Sequence, residues 1–163
     1  MDFPAIQAIY AYHVMHGLAS FEEVPPALEE MRRRHDEVAG HGLPWLIAEL
    51  GGTVAGYGYC APYRARSAYR YALEDSVYVR QDAQGKGGGR ALLGELITRC
   101  ESLGYRQMIA VIGDSANAAS IKLHASLGFL RAGLLRSSGF KLGRWVDSVL
   151  MQRPLGPGDG SRP

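Results

Sequence analysis

Cysteine is scarce in this chain: Cys60 and Cys100 stand alone among 163 residues, without metal-ligand or Cys-x-x-Cys spacing. A disulfide framework and a cysteine-built zinc or redox centre are thereby excluded, and both thiols are expected to be reduced and buried. Neither sits in the pattern of a nucleophile, and no metal is expected. No apolar run approaches the roughly 18 residues that a membrane-spanning helix needs, and the start has no signal-peptide pattern. The expectation is a soluble, cytoplasmic protein with no membrane partner. Charge of one sign is equally sparse. The net charge is +2 and the longest basic run is Arg32, Arg33 and Arg34, so nucleic acid is not an expected partner.

What the chain does have is apolar residues, 47% of the total, enough for one globular domain with a substantial core. We expect a single domain over 1–155 and a disordered Pro/Gly/Ser tail over 156–163. Within the domain the most informative stretch runs from Glu74 to Arg90. It reads as a strand (Leu73 to Arg80), a polar turn, then a glycine-dense helix start. Strand, loop and helix in that order gather free backbone N–H groups at the positive end of the helix dipole. Glycines there let a phosphate approach the main chain, so an anion site is expected.

Two phosphate motifs are excluded by single residues of the loop. A P-loop would need Ser or Thr after its lysine, but Gly87 comes after Lys86. A dinucleotide fingerprint counted from Gly85 would need glycine where Arg90 stands. The pattern that fits is Gln-x-x-Gly-x-Gly, spelled by Gln84, Gly85, Lys86, Gly87, Gly88 and Gly89.

In order, the pattern predicts a helix from Asp2, which is able to cap it, to Gly17, with Ile6, Ile9, Tyr10 and Val14 on one face. A second helix opens at Pro25 and Pro26 and stops near Gly40. Next come strands over Leu43–Leu50 and Thr53–Ala61, joined at Gly51 and Gly52. After the Glu74 strand and its helix come a strand over Tyr105–Ile112 and a helix over Asn117–Leu127. Two closing strands span Phe129–Leu135 and Trp145–Arg153. The result is an α/β fold with a central mixed, mostly antiparallel sheet flanked by helices.

The Gln84–Gly89 pattern after a strand ending Val77, Tyr78, Val79 resembles the acetyl-CoA motif of the GNAT N-acetyltransferase superfamily. The likeness to phosphinothricin and methionine sulfoximine N-acetyltransferases spans Asp2 to Leu155. It is carried by Ser20-Phe21, Gly56-Tyr57, Arg64, Arg66, Tyr69, Glu74 before Ser76, Asn117 to Ser120, Leu123-His124, Leu127-Gly128-Phe129, Gly139-Phe140-Lys141, Trp145 and Asp147. The resemblance implies a GNAT fold and a cytoplasmic homodimer that moves an acetyl group from acetyl-CoA to a small amino-acid analogue. Two departures stand out. Such relatives carry a first edge strand before the segment that here begins Met1-Asp2-Phe3, so either the start is placed late or the sheet is shortened, and Asp75 stands beside Glu74, the two expected on opposite faces of their strand.

An ammonium cannot attack a thioester, so a base is needed at neutral pH, and the resemblance assigns that task to Glu74. The bland alternative pairs this carboxylate with Arg64, Arg66 or Arg70. His124 would protonate the departing thiolate; otherwise it is a helix histidine bonded to a backbone carbonyl. A backbone N–H of the Val77, Tyr78, Val79 strand, splayed by a bulge, would hold the oxyanion, and the same strand would pair with pantetheine. Gln84, Gly85, Lys86, Gly87, Gly88, Gly89 and Arg90 would bind the diphosphate. Asn117, with Ser120, would touch the cofactor or cap its helix. For the acceptor, Arg64 and Arg66 suit a carboxylate or phosphinate, while Phe21, Tyr69, Phe140 and Trp145 would wall the side chain. The other histidines lack such context. Rival readings are acetylation of a protein N-terminus or a polyamine, or a sensor that binds acyl-CoA without turnover. The two arginines count against a polycation, and Glu74 with His124 count against the sensor.

Overall fold

A computed structural model describes residues 1–163. Helix α1 (Phe3–His16) starts where Asp2 accepts a hydrogen bond from the Ala5 N–H at 3.1 Å, and it ends where the Gly17 N–H returns to the His13 carbonyl. Its buried residues Ile6, Ile9, Tyr10 and Val14 keep the predicted spacing of three and four. Helix α2 (Leu28–Gly40) begins later than the two prolines suggest, because the chain is still extended at Ala27. Strands β1 (Trp45–Leu50) and β2 (Thr53–Pro62) form a hairpin on Gly51 and Gly52, both at positive φ as a tight turn requires. Then come β3 (Ala72–Val79), α3 (Gly88–Ser102), β4 (Gln107–Gly113), α4 (Ala118–Ser126), β5 (Leu130–Lys141) and β6 (Arg144–Pro154).

The six strands lie in the order β1-β2-β3-β4-β6-β5. Every neighbouring pair is antiparallel except β3 and β4, so the sheet is mixed and mostly antiparallel, as expected. Helix α3 covers one face, where Leu93, Leu96, Ile97 and Cys100 join Cys60, Leu73, Met108, Phe129 and Val149 in the main core. Helices α1 and α2 cover the other face, around Ile6, Tyr10, Met31, Val54 and Tyr57. Each such buried aliphatic stabilises the fold by about 1.5–3 kcal/mol relative to exposure. Both cysteines are free and buried in the main core.

The parallel pair is the feature that makes a site. Strands β3 and β4 share only Ala72↔Gln107, Leu73↔Met108 and Glu74↔Ile109, and then separate. Each is held by its other neighbour over a longer register, β3 by β2 from Leu73 to Val79 and β4 by β6 from Gln107 to Gly113. The right-handed twist of the sheet then carries the two halves apart. No bulge interrupts β3, contrary to expectation; the register shifts lie at Ala48/Glu49 in β1 and within β5. The divergence of β3 from β4, and not a bulge, parts the two strands.

The C-terminal residues lie against the residue that precedes β4. Leu155 is fully buried, and its N–H bonds to the Arg106 carbonyl at 2.9 Å. The Arg106 guanidinium donates to the Gly158 carbonyl, the Ser161 hydroxyl and the Arg162 carbonyl, each at 3.2 Å. One forked donor set therefore contacts three residues of the final segment.

Candidate active site

A cavity of about 440 Å³ opens where β3 and β4 part. It reaches both faces of the sheet, because alternation along β3 sends neighbouring side chains opposite ways. Tyr78 stacks edge-on to Tyr10 of α1, at 4.9 Å between ring centroids, so Glu74, Ser76 and Tyr78 belong to the α1/α2 face. Val77 and Val79 lie against Gly89 of α3, so Asp75 belongs to the opposite face with them. The expectation that Glu74 and Asp75 point apart is met, and both still line the cavity.

On the α1/α2 face, Glu74 stands at the vertex of the gap with Tyr59, Ser20, Phe21 and Glu22 around it. Burial raises the Glu74 pKa above the usual carboxylate value; the Asp75 charge adds to this and Arg64 opposes it. Glu74 makes no salt bridge, and the arginines near it are turned to aromatic rings: Arg64 lies over Tyr63 and Arg70 over Tyr71. Glu22 is tied down by the Tyr10 hydroxyl at 2.8 Å and by two Arg34 nitrogens at 2.7 and 3.2 Å. Burial pushes the Tyr10 hydroxyl up to about 12.

The roof over this face is the segment between α1 and α2, held by contacts far along the chain. The buried Lys141 Nζ donates to the Ser20 carbonyl at 2.6 Å. The Phe21 ring lies on Gly139, where a Cβ would sit 2.5 Å from a ring carbon. Only glycine lets the ring approach that closely.

On the α3/α4 face, Asn117 caps α4 by accepting from the Ser120 N–H at 3.2 Å, and both residues line the cavity. His124, one turn further on, is buried at 5% exposure and packs edge-on to Phe129. Its Nδ1 donates to the Ser120 carbonyl at 2.8 Å and its Nε2 meets Asp75 Oδ2 at 3.0 Å. Burial alone would lower the His124 pKa, but the bond to Asp75, the Asp75 charge and the Ser120 carbonyl together raise it.

The glycine-rich loop lies beyond the cavity at the start of α3. Gly85 and Gly87 have φ of 74° and 87°, and a Cβ at Gly85, Gly87 or Gly88 would meet nothing within 4 Å. No side chain caps the helix, and its first intrahelical bond runs from the Ala91 N–H to the Gly87 carbonyl. The N–H groups of Gly88, Gly89 and Arg90 are thus left free of helix partners, an open cradle for an anion. Lys86 is exposed beside it. Arg90 turns away, donating to the Ser126 hydroxyl at 2.6 Å, and Gln84 makes only a 3.5 Å contact with the Val79 carbonyl. Between loop and cavity, the Arg80 N–H bonds to the Ala55 carbonyl on β2 at 2.8 Å. Alternation therefore turns the main-chain groups of Val77 and Val79 away from β2, into the gap.

Of the residues singled out from sequence, Phe21, Glu74, Val77, Tyr78, Asn117, Ser120 and His124 line one cavity. Arg64, Arg66, Tyr69, Phe140 and Trp145 do not; Phe140 and Trp145 pair edge-on near the β5–β6 turn with Trp145 66% exposed. Sequence reasoning missed Glu22, Tyr59 and Ser148, whose positions depend on long-range packing that no local pattern signals. It also left His13 without context, although His13 Nε2 donates to the Val79 carbonyl at 2.9 Å.

The profile of the acetyltransferase (GNAT) family matches residues 10–129. A phosphinothricin N-acetyltransferase of Alcaligenes faecalis is 59% identical over 162 residues, 99% of this chain and 82% of that protein. An L-methionine sulfoximine/L-methionine sulfone acetyltransferase of Pseudomonas paraeruginosa is 41% identical over 157 residues, 96% of this chain and 91% of that one. The crystal structure of a phosphinothricin acetyltransferase from Sinorhizobium meliloti in complex with acetyl-CoA superposes with a TM-score of 0.96 at 48% identity, covering 99% of this chain and 88% of that one.

Proposed function

The chain belongs to the acetyltransferase (GNAT) family, with acetyl-CoA as its co-substrate, and from that premise we propose how its residues divide the work and what amine it accepts. The acceptor is a small amino-acid analogue of the phosphinothricin or methionine sulfoximine/sulfone type, the substrates named for the relatives. Transfer is direct, without an acyl-enzyme: Cys60 and Cys100 are buried in the core, and His124 Nδ1 is bonded to the Ser120 carbonyl at 2.8 Å, which leaves it no lone pair to take a proton from the Ser120 hydroxyl at 3.4 Å.

The observation that carries this reading is the place of Glu74, at the vertex of the gap between β3 and β4. There a carboxylate with a raised pKa can take a proton from the acceptor ammonium and leave a neutral nucleophile. The N–H groups of Gly88, Gly89 and Arg90, with Lys86 as counter-charge, fit the diphosphate of the co-substrate. Arg90 serves through its N–H, its guanidinium being bound to Ser126. The Val77 main chain and the Val79 N–H, turned away from β2, would pair with the amides of the pantetheine arm, and the Val77 N–H would stabilise the oxyanion. The leaving thiolate takes its proton from the face that holds His124.

Arg64 and Arg66 lie on the segment between β2 and β3, with Arg64 near enough to Glu74 to oppose the rise in its pKa. They suit the anionic end of the acceptor, with Phe21 at its side chain. Tyr69, Phe140 and Trp145 would contribute from a neighbouring copy in a cytoplasmic homodimer. The test is thiol release from acetyl-CoA over a panel of phosphinothricin, methionine sulfoximine, methionine sulfone, spermidine and an alanine-terminated peptide. Release with the first three alone is expected. Faster release with the peptide or spermidine would overturn the assignment of the acceptor.

A further inference from the structure

One group in the cavity wall has no task in the chemistry proposed so far. Asp75 is 7% exposed, it lines the cavity, and its Oδ1 is buried without any hydrogen-bond partner. Its only ion-pair partner is His124. A buried acceptor left bare loses its solvation without compensation, so a carboxylate kept this way calls for a reason.

The far side of the imidazole fixes how many protons the pair holds. His124 Nδ1 lies 2.8 Å from the Ser120 carbonyl oxygen and 3.4 Å from the Ser120 hydroxyl; the carbonyl makes the closer contact and only accepts, so Nδ1 carries a hydrogen. A neutral imidazole has one N–H, which would leave Nε2 with a lone pair facing Asp75 Oδ2 at 3.0 Å. Two lone pairs do not make a hydrogen bond. That contact therefore holds a second proton, on Nε2 or on Oδ2. The surroundings do not compete for it: Phe129 packs edge-on to the ring, Cys60 faces Asp75 across the β2–β3 register, and Cys60 in turn rests on Cys100. Glu74, the adjacent carboxylate on β3, points to the opposite face of the strand. The raised pKa of His124 agrees with a proton held in place by this couple.

We infer that Asp75 and His124 act as one acid, in which Asp75 is the positioning residue that loads His124 with the proton given to the departing coenzyme A sulfur. The inference rests on the proposed acetyl transfer. When the tetrahedral intermediate collapses, the C–S bond breaks, its electron pair goes to sulfur, and sulfur takes the shared proton. The couple is left as Nδ1-protonated, neutral His124 facing the Asp75 carboxylate, an arrangement that draws a proton back. In the complete reaction the acceptor ammonium loses two protons. One replaces the proton taken by sulfur and the other leaves to solvent, so charge and atoms balance. Glu74 and Asp75, adjacent on β3 but on opposite faces, then divide proton removal from proton supply.

Two measurements decide it. In the full chain labelled with ¹⁵N-histidine, the His124 ring, identified by the signal lost in His124→Gln, is expected to show both nitrogens protonated or strongly hydrogen-bonded at about pH 7. A ring with Nδ1 unprotonated overturns the inference without any Asp75 variant. In Asp75→Asn the amide can still donate to Nε2, so shape is preserved while the shared proton is lost. Turnover is expected to fall at least about tenfold, with KM for acetyl-CoA within about twofold and the alkaline limb of the kcat profile moved down by about one pH unit or more. An Asp75→Asn enzyme with unchanged kcat and unchanged pH profile overturns the couple alone. A wild-type enzyme that acetylates no amine overturns the underlying reading instead, and the ring-nitrogen measurement still reports on the couple. Should Asp75→Asn fail to fold, the wild-type ring signals decide.

Discussion

Glu74 and Ile109 are the last residues that β3 and β4 share before the two strands separate. The carboxylate is therefore fixed by sheet hydrogen bonds on one side and faces an opening on the other. A group held by the sheet loses little freedom on reaching its working position, which is what a positioned base requires.

Glu74→Gln should lower kcat/KM by about 10²–10⁴-fold near neutral pH. The raised pKa of Glu74 means that the wild-type rate falls as pH drops through that raised value, because the base becomes protonated. The variant lacks this acid limb, and its deficit shrinks at high pH as the free amine accumulates. A pH–rate profile of both proteins checks this, and a deficit equal at every pH would remove Glu74 from the role of base.

Gly87→Ala places a Cβ at φ 87°, a conformation that costs an L-residue about 1–2 kcal/mol. The loop N–H groups should lose their alignment, and KM for acetyl-CoA should rise about tenfold. Steady-state kinetics with acetyl-CoA varied at saturating amine provides the measurement. An equal rise in KM for the amine would place the loop nearer the acceptor than the geometry implies.

Gly139→Ala acts on the opposite wall. Its Cβ would press on the Phe21 ring from 2.5 Å, so the roof segment must lift, at a cost of about 1–3 kcal/mol. KM for the amine should rise several-fold, on the order of the discrimination that one misplaced apolar contact provides, while acetyl-CoA affinity holds. Calorimetric titration with acetyl-CoA alongside amine kinetics separates the two.

Folding stability should carry the signature of His124. Its folded-state pKa is raised above the ordinary value of about 6.5, so the folded protein holds this proton more tightly than the unfolded chain. The resulting stabilisation is complete below that ordinary value and is lost as pH climbs through the raised one. His124→Gln should therefore reduce denaturant stability more at about pH 6 than at about pH 9. Urea unfolding at a series of pH values tests the slope.

Much of the fold is legible in the chain because it rests on neighbours in sequence. The Asp2 cap, the Gly51–Gly52 turn, the spacing of Ile6, Ile9 and Tyr10, and the glycines at 85 and 87 each express a preference of a few consecutive residues. The same holds for the anion cradle, since a helix start exposes its N–H groups wherever that helix lies. Those local rules also predicted that Glu74 and Asp75 face opposite ways, since the pleat alternates whatever the sheet around it.

Other features were settled only by tertiary structure. Asp75 meets His124 across 49 positions, Lys141 holds Ser20 across 121, and Arg106 gathers the tail across more than 50. Each contact depends on strand order and register, and a slip of one residue would send the side chain to the other face. The gap itself has no sequence mark, since it arises from β2 and β6 each holding one strand of a parallel pair while the sheet twists. Short-range preferences travel with the chain, but a contact between distant segments exists only once the whole sheet has chosen its order.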